Sequence, residues 1–357
     1  MKIRILLITI VSLIVFSGTF FGEMAMTFPD LARPSRIMVD EDRLYIVESP
    51  HIYIYSIKEK KLVKKIGNRG EGPMEFMGNL NLLPYDDHII INSQGKITYW
   101  TKTGEFIKEV KCPFAGGVEP CEDVFVGFGF KRGNDKNPFN YQTIDVYDKN
   151  FKKLREVDRK KTAFQNRGLT YYSQNYFFYI MDNSQIVVTG YDGFSINVFD
   201  KTGKKLYEIK RDYVKKKVSD EDKKKVHEFF KTNPRTRNFY EANKHLLKFA
   251  NYFPAIQVFQ PFDNKLYVTT YNEKEGKTEF IIFDNKGKFV DQVWLPIIRR
   301  DIQSYMPYTV NNSVLYRLIE NEDEEEWEFH IDPIVSNNSK FNQVSESVKT
   351  KSKIKIN

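Results

Sequence analysis

The sequence predicts an all-β chain, a six-bladed β-propeller with a helical-hairpin insertion between blades four and five, and three observations predict it. The first is a repeated phrase: Trp100-Thr-Lys-Thr-Gly104-Glu-Phe106, Phe199-Asp-Lys-Thr-Gly203-Lys-Lys-Leu206 and Phe283-Asp-Asn-Lys-Gly287-Lys-Phe289, with a looser copy at Tyr147-Asp-Lys-Asn-Phe151. Each copy follows an alternating apolar run and precedes a short apolar one, the pattern of a β-hairpin closed by an Asp-x-x-Gly turn. The second is a period. The third-strand anchors Tyr55, Trp100, Tyr147, Phe199, Phe283 and Phe329 stand 45 to 52 residues apart, except for one gap of 84, and about 40 to 50 residues is the length of a propeller blade. The third is composition: 21 Tyr and 29 Phe in 357 residues suit half-buried pleated surfaces.

In chain order, Lys2 and Arg4 precede an apolar stretch over 5–16, which reads as an export signal within residues 1–22. The apolar run to residue 22 is also long enough to span a bilayer, so an uncleaved membrane anchor is the alternative. The propeller is expected over 23–335. Its first unit places strands at 35–39, 44–48, 52–57 and 62–66, and its second at 80–84, 88–92, 96–101 and 106–111. Unit three has an indistinct first strand, then 124–130, 143–147 and 154–158. Units four and five run through 175–181, 185–189, 195–199 and 206–210, then 255–260, 265–270, 279–283 and 289–294. Unit six has a short first strand near Tyr308, then 313–319 and 326–331, and no fourth strand. Residues 23–29 are expected to supply it, joining the chain ends and removing an exposed sheet edge.

The long gap holds the insertion, 213–252. Ser219-Asp-Glu-Asp222 is a capped helix start with acids in the first turn, and Val226, Phe229 and Phe230 share one face until Asn233-Pro234 ends the helix. A second helix is expected over 238–249. Residues 336–357 are rich in Ser, Lys and Asn and read as a disordered tail.

The formal net charge is +8, and residues 210–248 hold thirteen Lys and Arg against six Asp and Glu. With the excess confined to one segment, a nucleic-acid-binding face is not expected. The lysines at 215–217 and 223–225 read as a solvated face, or as one that meets an anionic lipid or an acidic partner. Cys112 and Cys121 bracket a short Pro- and Gly-containing loop. In an oxidising compartment a disulfide between them is preferred to two free thiols, and no His or Cys lies near enough to suggest a metal site.

The run Gly67-Asn-Arg-Gly70-Glu-Gly72-Pro73-Met-Glu75-Phe76 resembles the Gly-x-Gly-Pro-x-Glu-Phe segment of exported bacterial six-bladed β-propellers of the NHL-repeat type. The Phe-Asp-x-x-Gly-Lys hairpins and the insertion followed by Tyr252-Phe253-Pro254-Ala255 resemble the same group. The likeness covers about 33–333 and implies a fold and export, not a substrate. The lipid-attachment Cys of many such proteins is missing here.

In a propeller, the connections from one blade's outer strand to the next blade's inner strand share one face, and loops on a rigid scaffold tend to carry function. Here four of them are elaborate: 67–76, the Cys112–Cys121 loop, 159–173 and the insertion. Arg69 and Glu71 flank the Gly-rich turn, Arg167 sits in the third connection, and Arg235 and Arg237 follow Pro234. Together they form a candidate site for an anionic ligand, since Arg makes bidentate contacts to carboxylate or phosphate. The opposing reading makes them surface charges and the Gly70-x-Gly72-Pro73 segment a tight inter-blade turn, not a phosphate loop, because no Lys-Ser/Thr ending follows. His51, His88, His227, His245 and His330 show no metal spacing, and no Gly-x-Ser-x-Gly setting occurs. The expected protein is thus a monomeric exported binding or interaction module without a cofactor, its mouth capped by the insertion. The alternative is a propeller-type lyase or lactonase with an axial metal or acid/base site.

Overall fold

The computed structural model describes residues 22–112, 117–133, 139–161, 169–302 and 304–335. Six four-stranded antiparallel sheets follow one another along the chain. Blade 1 is Arg36–Asp40, Arg43–Glu48, His51–Ser56 and Lys61–Ile66. Blade 2 is Asn81–Tyr85, His88–Ser93, Lys96–Thr101 and Phe106–Lys111. Blade 3 is Val118–Cys121, Val124–Lys131, Tyr141–Tyr147 and Lys153–Lys161, which supplies the strand the sequence left indistinct. Blades 4 and 5 begin at Phe178–Ile180 and Val258–Phe262 and end at Lys205–Arg211 and Phe289–Leu295. In blade 6 the order is Tyr308–Asn311, Val314–Asn321, Glu326–Pro333 and then Glu23–Phe28, so the N-terminal strand closes the ring as expected.

Both faces of each blade are buried against neighbours. Six hydrophobic clusters result, one per blade interface. In blade 5, for example, Leu266 and Val268 pack toward blade 4 while Tyr267, between them, packs toward blade 6. This is the period-2 alternation of a strand with two apolar faces. Middle strands therefore read as continuous apolar runs, such as Ile89-Ile90-Ile91, all fully buried.

The repeated phrase is explained atom by atom. In the turn after Phe199, the Asp200 carboxylate accepts the N–H groups of Thr202 at 2.8 Å and Lys204 at 3.0 Å, and Gly203 N–H donates to Asp200 O. Asp284 does the same with Lys286 and Lys288, and Asp148 with Asn150 and Lys152. The fourth position is left-handed in every copy, with φ of 87° at Gly104, 81° at Gly203, 78° at Gly287 and 60° at Phe151, a region that glycine enters without steric cost. The same turns dock on the preceding blade. A Cβ on Gly287 would come within 2.8 Å of the Tyr207 ring. Tyr207 donates to Asn285 O, and Tyr45 donates to Lys102 O. The phrase is thus both a turn and an inter-blade latch.

The insertion leaves and rejoins the ring through a closed base, where Lys217 pairs with Tyr252 and Val218 N–H donates to Asn251 O. Helix α1 spans Asp220–Thr232, and Ser219 and Asp222 form the reciprocal capping box that the sequence predicts. Helix α2 is shorter than expected, Arg237–Asn243, and a 3-10 turn at Lys244–Leu246 follows it. The expected last helical turn is instead a strand, Leu247–Phe249, paired in parallel with Leu169–Tyr171. That pairing satisfies its backbone and ties the insertion to the connection between blades 3 and 4.

The expected disulfide is a correction. Cys112 and Cys121 are buried but not bonded to each other. Cys112 follows the outer strand of blade 2 and packs between blades 2 and 3. Cys121 ends the inner strand of blade 3 at the opposite edge of the sheet and packs between blades 3 and 4. Val118, at the start of that strand, shares the interface of Cys112, whereas Cys121 lies three strand rises of about 3.3 Å further on and in the next interface, which is not the close approach of Cα atoms that a disulfide needs. Residues 1–21 and 336–357, which carry the signal or anchor and tail expectations, lie outside the described residues.

Candidate functional site

Alternation of strand direction sorts the connections. Links from first to second and third to fourth strands lie on one face, and the elaborate inter-blade links lie on the other. On that second face, at the ring axis, a cavity of about 860 Å³ opens. Its floor comes from the heads of inner strands: Arg36 of blade 1, Tyr179 of blade 4, Gln260 of blade 5 and Tyr308 of blade 6. Its wall comes from Tyr171 and Tyr172 in the third connection, Tyr271 of blade 5, Tyr305 in the fifth connection and Phe230 of α1.

The wall is a connected aromatic array. Tyr172 meets Phe253 edge-on at 4.5 Å and Tyr271 at 6.0 Å, and Phe253 stacks on Tyr271 at 4.5 Å. Phe230 meets Tyr171 edge-on at 5.9 Å and stacks on Tyr240 of α2 at 6.3 Å. Contacts of this kind add about 0.5–1.5 kcal/mol each beyond burial, so the insertion is held over the rim. Tyr172 has φ of 59°, unusual for a bulky side chain and of a kind that concentrates at functional positions. Arg299 lies over the rings of Tyr271 at 5.6 Å and Tyr305 at 5.1 Å, pairs with Glu273 at 2.5 Å and bonds Gln257. It is a buttress with its charge already matched.

Arg36 is different. Its one hydrogen bond goes to Asn81 Oδ1 on the inner strand of blade 2, and among the described residues no carboxylate pairs with it. One blade further round, Glu119 accepts the Ile180 N–H at 3.2 Å. Burial pushes the Glu119 carboxyl up to about 7, while the Ile180 N–H and the Arg36 charge pull against that rise. The Tyr172 hydroxyl is pushed up to about 12, chiefly by burial, and burial also raises Tyr271. Both hydroxyls therefore stay protonated and able to donate at neutral pH.

No family model matches the sequence. No curated protein matches it either. Solved structures similar to the chain include Hsv2 of Kluyveromyces lactis, at 12% identity over 85% of this chain and 99% of that one, with a TM-score of 0.38. Others are the WD40 domain of Neurospora crassa Pan2 (10% identity, 84% and 89% covered, TM-score 0.40) and a protein of unknown function from Bacteroides caccae (13%, 77% and 85%, 0.37).

The sequence-predicted site residues lie elsewhere. Arg69, Glu71, Arg235 and Arg237 are exposed, and none lines the axial cavity. Arg167 lies outside the described residues. The Gly-rich segment behaves as a turn: Glu75 accepts the Gly72 N–H at 2.9 Å, Phe76 is fully buried, and Gly67 O bonds His51 Nδ1 at 2.7 Å. His227 bonds Tyr240, His330 bonds Glu328, and His88 bonds Asp87. Among the described residues no group of three or more His, Cys, Asp or Glu is placed to hold a metal.

A second, smaller cavity of about 220 Å³ lies between blades 4 and 5 beneath the insertion. Its buried carboxylate, Glu279, accepts from Thr270 at 2.6 Å, Asn272 at 2.9 Å and Gln292 at 2.5 Å, and Gln292 accepts from Arg211. A carboxylate with three donors is a satisfied structural group. The sequence signals for the axial mouth were the paired aromatics of the connections, Tyr171-Tyr172 and Tyr305 with Tyr308, and the Arg at the head of the first inner strand.

Proposed function

We propose that this protein is an exported binding module that takes its ligand at the axial mouth, beneath the helical insertion. The observation that carries this reading is the cavity of about 860 Å³ walled by aromatic side chains from four separate connections or strands. Small-ligand sites of about 300–1,000 Å³ with aromatic walls and a few directed polar groups are the usual form. Propellers also serve as interaction modules, and the rigid ring here holds loops rather than moving parts. The export half rests on Lys2, Arg4 and the apolar stretch that follows, removed on export or retained as an anchor. Among the described residues no helix is long and apolar enough to cross a membrane.

The test is a thermal-shift screen of saccharides, organic acids and short peptides against the wild type, Ser304→Trp and Asn175→Trp, both substitutions placing an indole at the cavity. Ligands that raise the melting temperature of the wild type and of neither variant support the mouth. Ligands whose effect persists in both variants place the site elsewhere. Cell fractionation with N-terminal sequencing tests export: an envelope or secreted chain is expected, and a cytosolic chain beginning at Met1 contradicts it.

A further inference from the structure

Resting on the mouth as the ligand site, we infer that its ligand is an acidic saccharide whose single carboxylate is held by Arg36. Two features of the cavity lead there. Arg36 is a half-buried guanidinium on the floor with one hydrogen bond, to Asn81, and no paired carboxylate, whereas Arg299 and Arg317 each have one, Glu273 and Asp332. A planar guanidinium with donors to spare matches a carboxylate bidentately. Above it, further side chains have donors to spare. Among the described residues the Tyr172 and Tyr271 hydroxyls have no hydrogen-bond partner. Gln257 offers its amide nitrogen, since its oxygen is taken by Tyr305 at 2.5 Å and Arg299 at 3.2 Å. The mouth therefore asks for a ligand rich in acceptor oxygens.

The walls ask for flat apolar faces as well. A sugar ring presents both, C–H faces for the aromatic array and hydroxyl oxygens for the donors, and a uronic acid adds the one carboxylate that Arg36 lacks. A phosphate-rich ligand fits poorly, because among the described residues no second unpaired cation lines the cavity. A peptide backbone carries no anion for Arg36 and no ring face for the aromatic walls.

The experiment is calorimetric titration with a trisaccharide bearing a single galacturonate residue and with its neutral methyl ester, using wild type, Arg36→Gln, Arg36→Lys and Ser304→Trp, after confirming that each variant melts as the wild type does. The expected result is that the acid binds and Ser304→Trp abolishes binding. Arg36→Gln weakens the acid by about ten- to a hundredfold, the effect of losing a hydrogen bond between charged groups. Arg36→Lys restores part of the loss, and the ester binds the wild type and Arg36→Gln alike. If acid and ester bind equally and Arg36→Gln changes neither, the carboxylate assignment is overturned while the mouth stands. If only peptides bind and Ser304→Trp blocks them, the saccharide class is overturned and the mouth again stands. If no ligand that binds is blocked by Ser304→Trp, both readings fall together.

Discussion

The two faces of the ring are built from the same chain on opposite terms. On one face the Asp-x-x-Gly turns repeat, every turn carboxylate is matched to backbone N–H groups, and each turn grips the preceding blade. On the other face the connections share no sequence pattern, and Tyr172 in one of them and Arg36 and Tyr271 on the strands beneath keep hydrogen-bonding capacity unspent. Buried polar groups are nearly always satisfied. A repeated, satisfied group therefore reads as scaffold, and an unsatisfied one at a cavity reads as a place for something else. Changes on the turn face should cost stability and spare binding, and changes on the mouth face should do the reverse.

The largest expected effect breaks the ring itself. Phe28, on the closing strand, is 3% exposed and meets Tyr55 of blade 1 edge-on at 4.8 Å. Phe28→Ala should cost about 3–5 kcal/mol in urea unfolding, and a cost below about 1 kcal/mol would show that ring closure matters little. Next come the latches. Gly287→Val combines a left-handed φ with a clash against Tyr207 and should cost about 2–3 kcal/mol. Asp284→Ala leaves two N–H groups without their acceptor and should cost about 1–2 kcal/mol. Equal stability of wild type and both variants would remove the turn from the account.

Glu119 sharpens the comparison at the axis. Its folded pKa of about 7 lies above the ordinary carboxyl value because burial disfavours the anion. Its environment therefore favours the protonated form. The associated stability is fully present below the ordinary carboxyl pKa and is lost as pH rises through about 7. Arg36 and Tyr179 are the charged and titratable groups that act on it. Glu119→Gln should raise stability at pH 8 by on the order of 2 kcal/mol and have little effect at pH 4. A variant destabilised equally at both pH values would mean that Glu119 acts as an ion-pair partner instead. The smallest effect concerns the thiols: thiol titration of the unfolded chain should find two reactive cysteines, and reductant should leave the melting temperature unchanged. A single disulfide per chain would reinstate the 112–121 link.

Much of the scaffold was legible because it is written in local patterns. The Asp-x-x-Gly phrase carries its own turn chemistry, Ser219 through Asp222 carry their own cap, and a missing fourth strand left 23–29 as its natural source. The end of the insertion, 247–249, looks helical in sequence because its strand partner, Leu169–Tyr171, lies some eighty residues away. The length of the Cys112–Cys121 loop says nothing about which blade interface each Cys enters. The mouth was the least legible part. Arg69, Arg235 and Arg237 stand beside Gly and Pro in the sequence, and all three are exposed and outside the axial cavity. Arg36, Gln257 and Tyr305 come together only when the ring closes, and no spacing in the chain brings them side by side.

The most direct measurement crosses the two faces. Affinity for the trisaccharide bearing a single galacturonate residue and melting temperature are determined for wild type, Asp284→Ala and Arg36→Gln under one condition. Asp284→Ala is expected to lower the melting temperature and keep the affinity, while Arg36→Gln keeps the melting temperature and lowers the affinity about tenfold or more. If Arg36→Gln lowers the melting temperature as far as Asp284→Ala does and leaves affinity untouched, Arg36 is scaffold like the turns, and the division between the two faces fails.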